Sequence, residues 1–149
     1  MGLDTTHDCW HGGYGGFYEF RKTVGLAAKL PHRTVDSGHR KGDLELDIDW
    51  DAVTMRQIEG HWDRKGPTVK ASGVYDPPIT DPVLYLLVHS DCDGKLRRGY
   101  LPALRDRLVE LEPEYERLTA ADSYLQGRLR QFINGLDLAI EAGEHVVFG

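Results

Sequence analysis

Apolar residues recur at helical spacing over three long stretches of the chain and alternate with polar ones over a short fourth. Between Tyr14 and Leu30, Phe17, Phe20, Val24, Ala27 and Ala28 fall on or near one face. Pro31 follows, so the pattern predicts a helix that stops there. Leu101, Leu104, Leu108 and Leu111 predict a second helix, opening near Pro102 and stopping before Pro113. Leu125, Leu129, Phe132, Ile133, Leu136 and Ile140 predict a longer one, with Gly143 as its exit. A shorter helix is expected after Asp81, which can cap it, with Pro82 in its first turn. It carries Val83, Leu84, Leu86, Leu87 and Val88 into the core and ends at His89.

The alternating stretch is DLELDIDWD at 43–51. Leu44, Leu46, Ile48 and Trp50 lie on one side and Asp43, Glu45, Asp47 and Asp49 on the other, the pattern of a half-buried strand with a solvated acidic face. Gly60, Gly66, Pro67, Gly73, Pro77 and Pro78 make the stretch around 60–81 an irregular loop, with Val69 to Tyr75 as a weak second strand. The closing residues HVVFG read as a short strand that pairs with the acidic strand or with the first residues of the chain. These elements add up to an α+β fold, about four helices packed on a small antiparallel sheet, in a single domain spanning 1–149.

Composition narrows the partners. Hydrophobic residues at 40% and charged ones at 28% are ordinary for a globular protein. No apolar run approaches the roughly 20 residues that span a bilayer, and the N-terminus lacks the pattern of a secretion signal, so a cytoplasmic protein without a membrane partner is expected. A net charge of -6 argues against a nucleic-acid partner, whose phosphates call for clustered positive charge. Locally, Arg97 and Arg98, with Lys95 just before them, can meet one small anion. The two cysteines, Cys9 and Cys92, make no disulfide framework.

Ligand-like chemistry is concentrated in two motifs, His7-Asp8-Cys9-Trp10-His11 and His89-Ser90-Asp91-Cys92-Asp93-Gly94. Neither has the paired spacing of a zinc site. His89, Asp91, Asp93, Gly94 and Leu96 copy the spacing of a calcium loop, but His stands at its first position and Tyr100 at its twelfth, where the strongest ligands belong. No metal or other cofactor is therefore assigned, with His89, Asp91 and Asp93 left as the residues a divalent metal would use. Either cysteine beside a histidine has the types for nucleophilic catalysis, and His7, His11 or His89 with Asp8 or Asp91 has the types for general acid-base chemistry. Non-catalytic binding uses more of the features together. Trp10 and Tyr14 can stack on a base, and Gly12 and Gly13 admit a ligand to the backbone. His7, Asp8, His11, His89, Asp91 and Asp93 supply hydrogen bonds, while Arg21 or Arg97 meets a phosphate. Phe17 reads as core; for Trp10 both core and pocket remain open.

The opening MGLDTTHDCWHGGYGGFYEFR and the later HSDCDGKL resemble a group of small bacteriophage and prophage proteins that carry both motifs. The resemblance is specific in those two places and loose elsewhere. It implies a phage origin and brings no activity, catalytic residue or cofactor with it. In that setting the expected function is anti-defence: binding in preference to catalysis, with the chain sequestering a nucleotide-type immune signal of the infected bacterium. One alternative is a His- and Asp-dependent hydrolase of such signals, with or without a metal; another is a module that binds a host protein. Whether the two motifs meet within one chain or across a homo-oligomer is left open by the sequence.

Overall fold

The computed structural model describes residues 2–36, 44–49, 62–63, 66–67, 81–87 and 94–149. Its elements in chain order are β1 (Gly2–Asp4), β2 (His11–Gly13), α1 (Tyr14–Ala27), β3 (His32–Asp36), β4 (Leu44–Ile48), β5 (Trp62–Asp63), β6 (Gly66–Pro67), α2 (Val83–Leu87), β7 (Lys95–Leu96), α3 (Leu101–Leu118), α4 (Arg128–Ala142) and β8 (Val146–Val147). Short 3-10 turns occupy Thr6–Asp8 and Arg98–Tyr100. The fold is α+β. The single small sheet expected from sequence is instead divided, among the described residues, into four separate two-stranded antiparallel pairs, β1–β2, β3–β4, β5–β6 and β7–β8. Strands of two to five residues present too little apolar face to make a common layer, and the helices carry most of the core.

Helix α1 forms where the pattern placed it, burying Phe17, Phe20, Val24 and Ala27. It ends because Lys29 turns left-handed (φ 59°) and the Leu30 N–H bonds back to the Gly25 carbonyl at 3.2 Å, after which Pro31 bars continuation. Its aromatic side chains build the centre of the core. Phe20 lies 5.1 Å from Trp10, 5.4 Å from Phe132 of α4 and 5.9 Å from Tyr115 of α3, ring centre to ring centre. α3 packs on both α1 and α4. Beside them, all five residues of α2 are buried, and the Asp81 carboxylate caps it as expected, accepting the Val83 N–H at 3.0 Å while holding Arg107 through two oxygens.

Two boundaries depart from the sequence reading. α3 does not stop before Pro113 but runs through it to Leu118. An interior proline costs about 3 kcal/mol, and what lies beyond offsets it: Tyr115 is fully buried with its hydroxyl 2.7 Å from the Leu125 carbonyl, and Thr119 is buried as well. Burial of a large side chain at about 2–3 kcal/mol plus a buried hydrogen bond at about 1 kcal/mol is enough to carry the helix past the ring. α4 begins at Arg128, not near Leu125, because Asp122 takes the N–H groups of Tyr124 (3.0 Å) and Leu125 (3.1 Å) into a turn and Gly127 adopts φ 80°. Its exit at Gly143 (φ 68°) is where the sequence put it.

The acidic strand pairs with His32–Asp36, a partner the sequence did not reveal. On its apolar side Ile48 is buried against Gly25, whereas Leu46 remains 48% exposed. The side chains of Leu44 and Trp50, and the weak strand at Val69 to Tyr75, lie outside the described residues, as does most of the 60–81 loop.

Candidate ligand-binding site

The first motif is a tight loop tied at its base. The Thr5 N–H donates to the Trp10 carbonyl (3.1 Å), and the Trp10 N–H donates to the Thr5 hydroxyl (2.9 Å). Between them His7 (φ 62°) and Asp8 (φ 55°) are both left-handed, a conformation that costs a residue with a side chain about 1–2 kcal/mol. The loop is held in it by bonds to two other elements. Thr6 Oγ1 accepts the Val147 N–H at 2.9 Å, and Gln131 of α4 donates to the Asp8 carbonyl at 3.3 Å. Cys9 fills the space between loop and helix, packed so closely on Gly135 that a Cβ there would lie 2.5 Å from its sulfur. Burial pushes the Cys9 thiol up to about 12, so it stays protonated near neutral pH and is no nucleophile.

The other residues of this motif go to different places. Trp10 is core: 1% exposed, its ring lies 5.2 Å from Phe17 and 5.1 Å from Phe20, with the Arg128 guanidinium 4.9 Å above it. Those neighbours cover the surfaces on which a base would stack. His11 is exposed and pairs with Asp4 directly across the β1–β2 register. Tyr14 is partly buried against the core, and Arg21 lies over the Phe17 ring at 4.7 Å. Asp8 is exposed; His7 is largely covered, with Nδ1 3.1 Å from the Thr6 hydroxyl and Nε2 3.5 Å from the Glu144 carboxylate. His89, Asp91, Asp93 and Cys92 lie outside the described residues.

The C-terminal strip, 144–149, connects the first motif with Gly94, the last residue of the second. On one side it joins the first motif, through the Thr5–Phe148 bridge, the Val147–Thr6 bond and two backbone bonds between Asp4 and Gly149 (3.0 and 3.3 Å). On the other it joins the residues that follow the second motif. β7 pairs with β8, and the carbonyl of Gly94, which takes φ 88°, accepts the Phe148 N–H at 2.9 Å. Phe148 thus stands opposite Thr5 in the bridge and donates its N–H to Gly94. The expected pairing of the last residues with the first is present, and the second partner, Lys95–Leu96, was not foreseen.

At the end of this strip stands a histidine that sequence reasoning passed over. His145 Nδ1 accepts the Arg98 backbone N–H at 2.8 Å, which assigns the remaining ring proton to Nε2. Its pKa is lowered below the ordinary value of 6.5, first by burial and then by the charges of Lys95, Arg98 and Arg97. Those three side chains are exposed, and Arg98 also reaches the Gly143 carbonyl at the end of α4, 3.4 Å away. The corner therefore gathers three cations and a neutral imidazole on a chain of net charge -6. No local signal marks His145, because its environment is made by residues some 47 positions upstream.

No group of three His, Cys, Asp or Glu side chains among the described residues is placed to hold a metal ion, and none of the described helices is long and apolar enough to cross a membrane. No protein-family model, curated protein or solved structure matches this chain.

Proposed function

We propose that the chain binds a small nucleotide-type ligand by its phosphate at the corner formed by Lys95, Arg97, Arg98 and His145, and that it acts by retaining that ligand. The observation that carries this reading is the C-terminal strip, which ties the first motif and the end of the second to one segment and sets the basic corner beside them. Guanidinium groups and an imidazole N–H are donors matched to a phosphate's oxygens, and the local positive charge draws an anion to a protein that is otherwise acidic. His7 and Asp8, with His89, Asp91 and Asp93 by their position in the chain, supply polar contacts to the rest of the ligand. In the phage setting that the resemblance of the two motifs implies, our reading of the ligand is a nucleotide immune signal of the bacterial host, with its sequestration the biological role.

Hydrolysis of the same ligand is the competing reading. On its side is His7, whose Nε2 faces the Glu144 carboxylate at 3.5 Å, the pairing of a general base with an orienting acid. Titration calorimetry with AMP and with cyclic dinucleotides, followed by heat release and mass spectrometry of the ligand, separates the two. Intact recovery together with an at least tenfold loss of affinity in the Arg97→Ala/Arg98→Ala variant is the expected result. Release of a cleaved product favours the hydrolase, and no binding of any nucleotide ends both.

A further inference from the structure

Two glycines of the first motif's continuation, Gly12 and Gly16, form the surface on which Tyr124 lies. A Cβ on Gly16 would stand 2.3 Å from the Tyr124 hydroxyl oxygen and 2.7–2.8 Å from its ring, and one on Gly12 would stand 2.9 Å from the same hydroxyl. The phenol therefore rests on bare backbone. The Trp10 indole nitrogen reaches the same spot, 3.5 Å from where a Gly12 Cβ would be. That N–H is buried and has no hydrogen-bond partner among the described residues. Above both rings lies the Arg128 guanidinium, 4.9 Å from the centre of Trp10 and 4.8 Å from that of Tyr124, held by the His11 carbonyl at 3.1 Å.

A buried donor without an acceptor is uncommon and costly, and it marks a place where an acceptor belongs. The Tyr124 hydroxyl lies near this donor, both being close to the Gly12 backbone, and does not satisfy it. Its hold is also light, since the residue is 46% exposed and sits in the turn that ends at left-handed Gly127. We propose that Tyr124 is a plug in a slot for a nucleobase: Gly12 and Gly16 are the floor, Arg128 stacks on the ring, and the Trp10 indole N–H donates to a ring nitrogen or carbonyl of the base. A purely hydrocarbon ring lacks that acceptor and is not accepted in its place. The slot lies at the N-terminal end of α4, while His145 follows its C-terminal end. Fifteen helical residues separate them, about 20 Å at 1.5 Å per residue, so the slot does not depend on the phosphate corner.

Adenosine, which has acceptors and no phosphate, is the probe, and the indole N–H resonances of the 15N-labelled protein are the readout. Trp10 is identified by elimination with Trp50→Phe and Trp62→Phe. Adenosine is expected to move the Trp10 resonance saturably, toluene is not, and Tyr124→Ala is expected to bind about tenfold more tightly because no plug competes. In the Tyr124→Ala/Gly16→Val variant the floor is filled and the shift disappears. A Trp10 resonance unmoved by millimolar adenosine in both the parent and Tyr124→Ala overturns the proposal, as does equal affinity in the two. Should Tyr124→Ala fail to fold, the parent's titration decides alone. Loss of nucleotide binding at Arg97 and Arg98 has no bearing on this signal, so the two readings fail separately.

Discussion

Replacing Gly135 with alanine tests how closely the first motif is pressed onto α4. At an open helical position the change would stabilise by about 1 kcal/mol, the difference in helix propensity. Here the new methyl would lie 2.5 Å from Cys9 Sγ and 2.8 Å from both Cys9 Cα and Cys9 N. Two of those three atoms are backbone, so no change of rotamer relieves the overlap, and the 5–9 loop must move as a body. Overpacking of this kind costs about 1–3 kcal/mol. Movement of the loop also strains the Thr6–Val147 bond of 2.9 Å and the Gln131–Asp8 bond of 3.3 Å, at about 1 kcal/mol for each that is lost. After the propensity gain is subtracted, Gly135→Ala is expected to lower stability by about 1–3 kcal/mol. In urea denaturation this reads as a lower midpoint at unchanged slope, and in a thermal melt as a fall of about 2–10 °C. Adding Cys9→Ala removes only the sulfur contact and recovers only a minor part of the loss. A Gly135→Ala protein more stable than the parent by about 1 kcal/mol would refute the reasoning, because propensity would then have met no opposing contact.

Three further outcomes follow from the core and the surface. Tyr115→Phe removes the buried 2.7 Å bond to the Leu125 carbonyl and leaves that oxygen without its partner; a loss of about 1–2 kcal/mol by chemical denaturation is expected, and an unchanged midpoint would count against the bond. In a Cys92→Ser background, where Cys9 is the remaining thiol, Ellman's reagent at pH 8 is expected to react slowly until urea unfolds the chain; rapid labelling of the native protein would contradict a thiol pushed up to about 12. Glu114, held by Arg117 and Lys29, has its carboxyl lowered to about 2. Its contribution is therefore fully present above the unfolded value near 4.5 and disappears as pH falls toward 2. Glu114→Gln should flatten the melting temperature over that interval, and parallel curves for the two proteins would argue that the pair adds nothing.

The helices were legible because each buries a continuous stripe, and the stripe is written in residue spacing: Phe17, Phe20 and Val24 in α1, Leu101, Leu104 and Leu108 in α3, Leu129, Phe132 and Leu136 in α4. Stops were legible where backbone chemistry enforces them, as at Pro31 and Gly143, and not where tertiary burial overrides it, as at Pro113. β3 escaped notice because HRTVD is almost wholly exposed and has no apolar alternation; only its ladder with β4 makes it a strand. In the candidate site, the sequence marked Cys9 and Trp10 by their chemical type, while burial gave both to the core. Their polar atoms do not report where they are placed. His145 was invisible for the opposite reason, being an isolated histidine whose partners Lys95, Arg97 and Arg98 are brought to it by strand pairing alone.

The bonds between Asp4 and Gly149 have a consequence for the order in which the protein assembles. These residues are separated by nearly the whole length of the sequence, and contacts of such range close late, since the entropy of the intervening loop must be overcome first. While the chain is being synthesised from its N-terminus, β1 and β2 can form their hairpin and α1 can coil, but the contacts that Thr5, Thr6 and His7 make with the C-terminal strip must wait until residues 144–149 emerge. The left-handed loop at His7 and Asp8 is then set last, by the arrival of α4 and the strip behind it. A nascent or truncated chain can thus possess most of its helical core and still have no formed first motif.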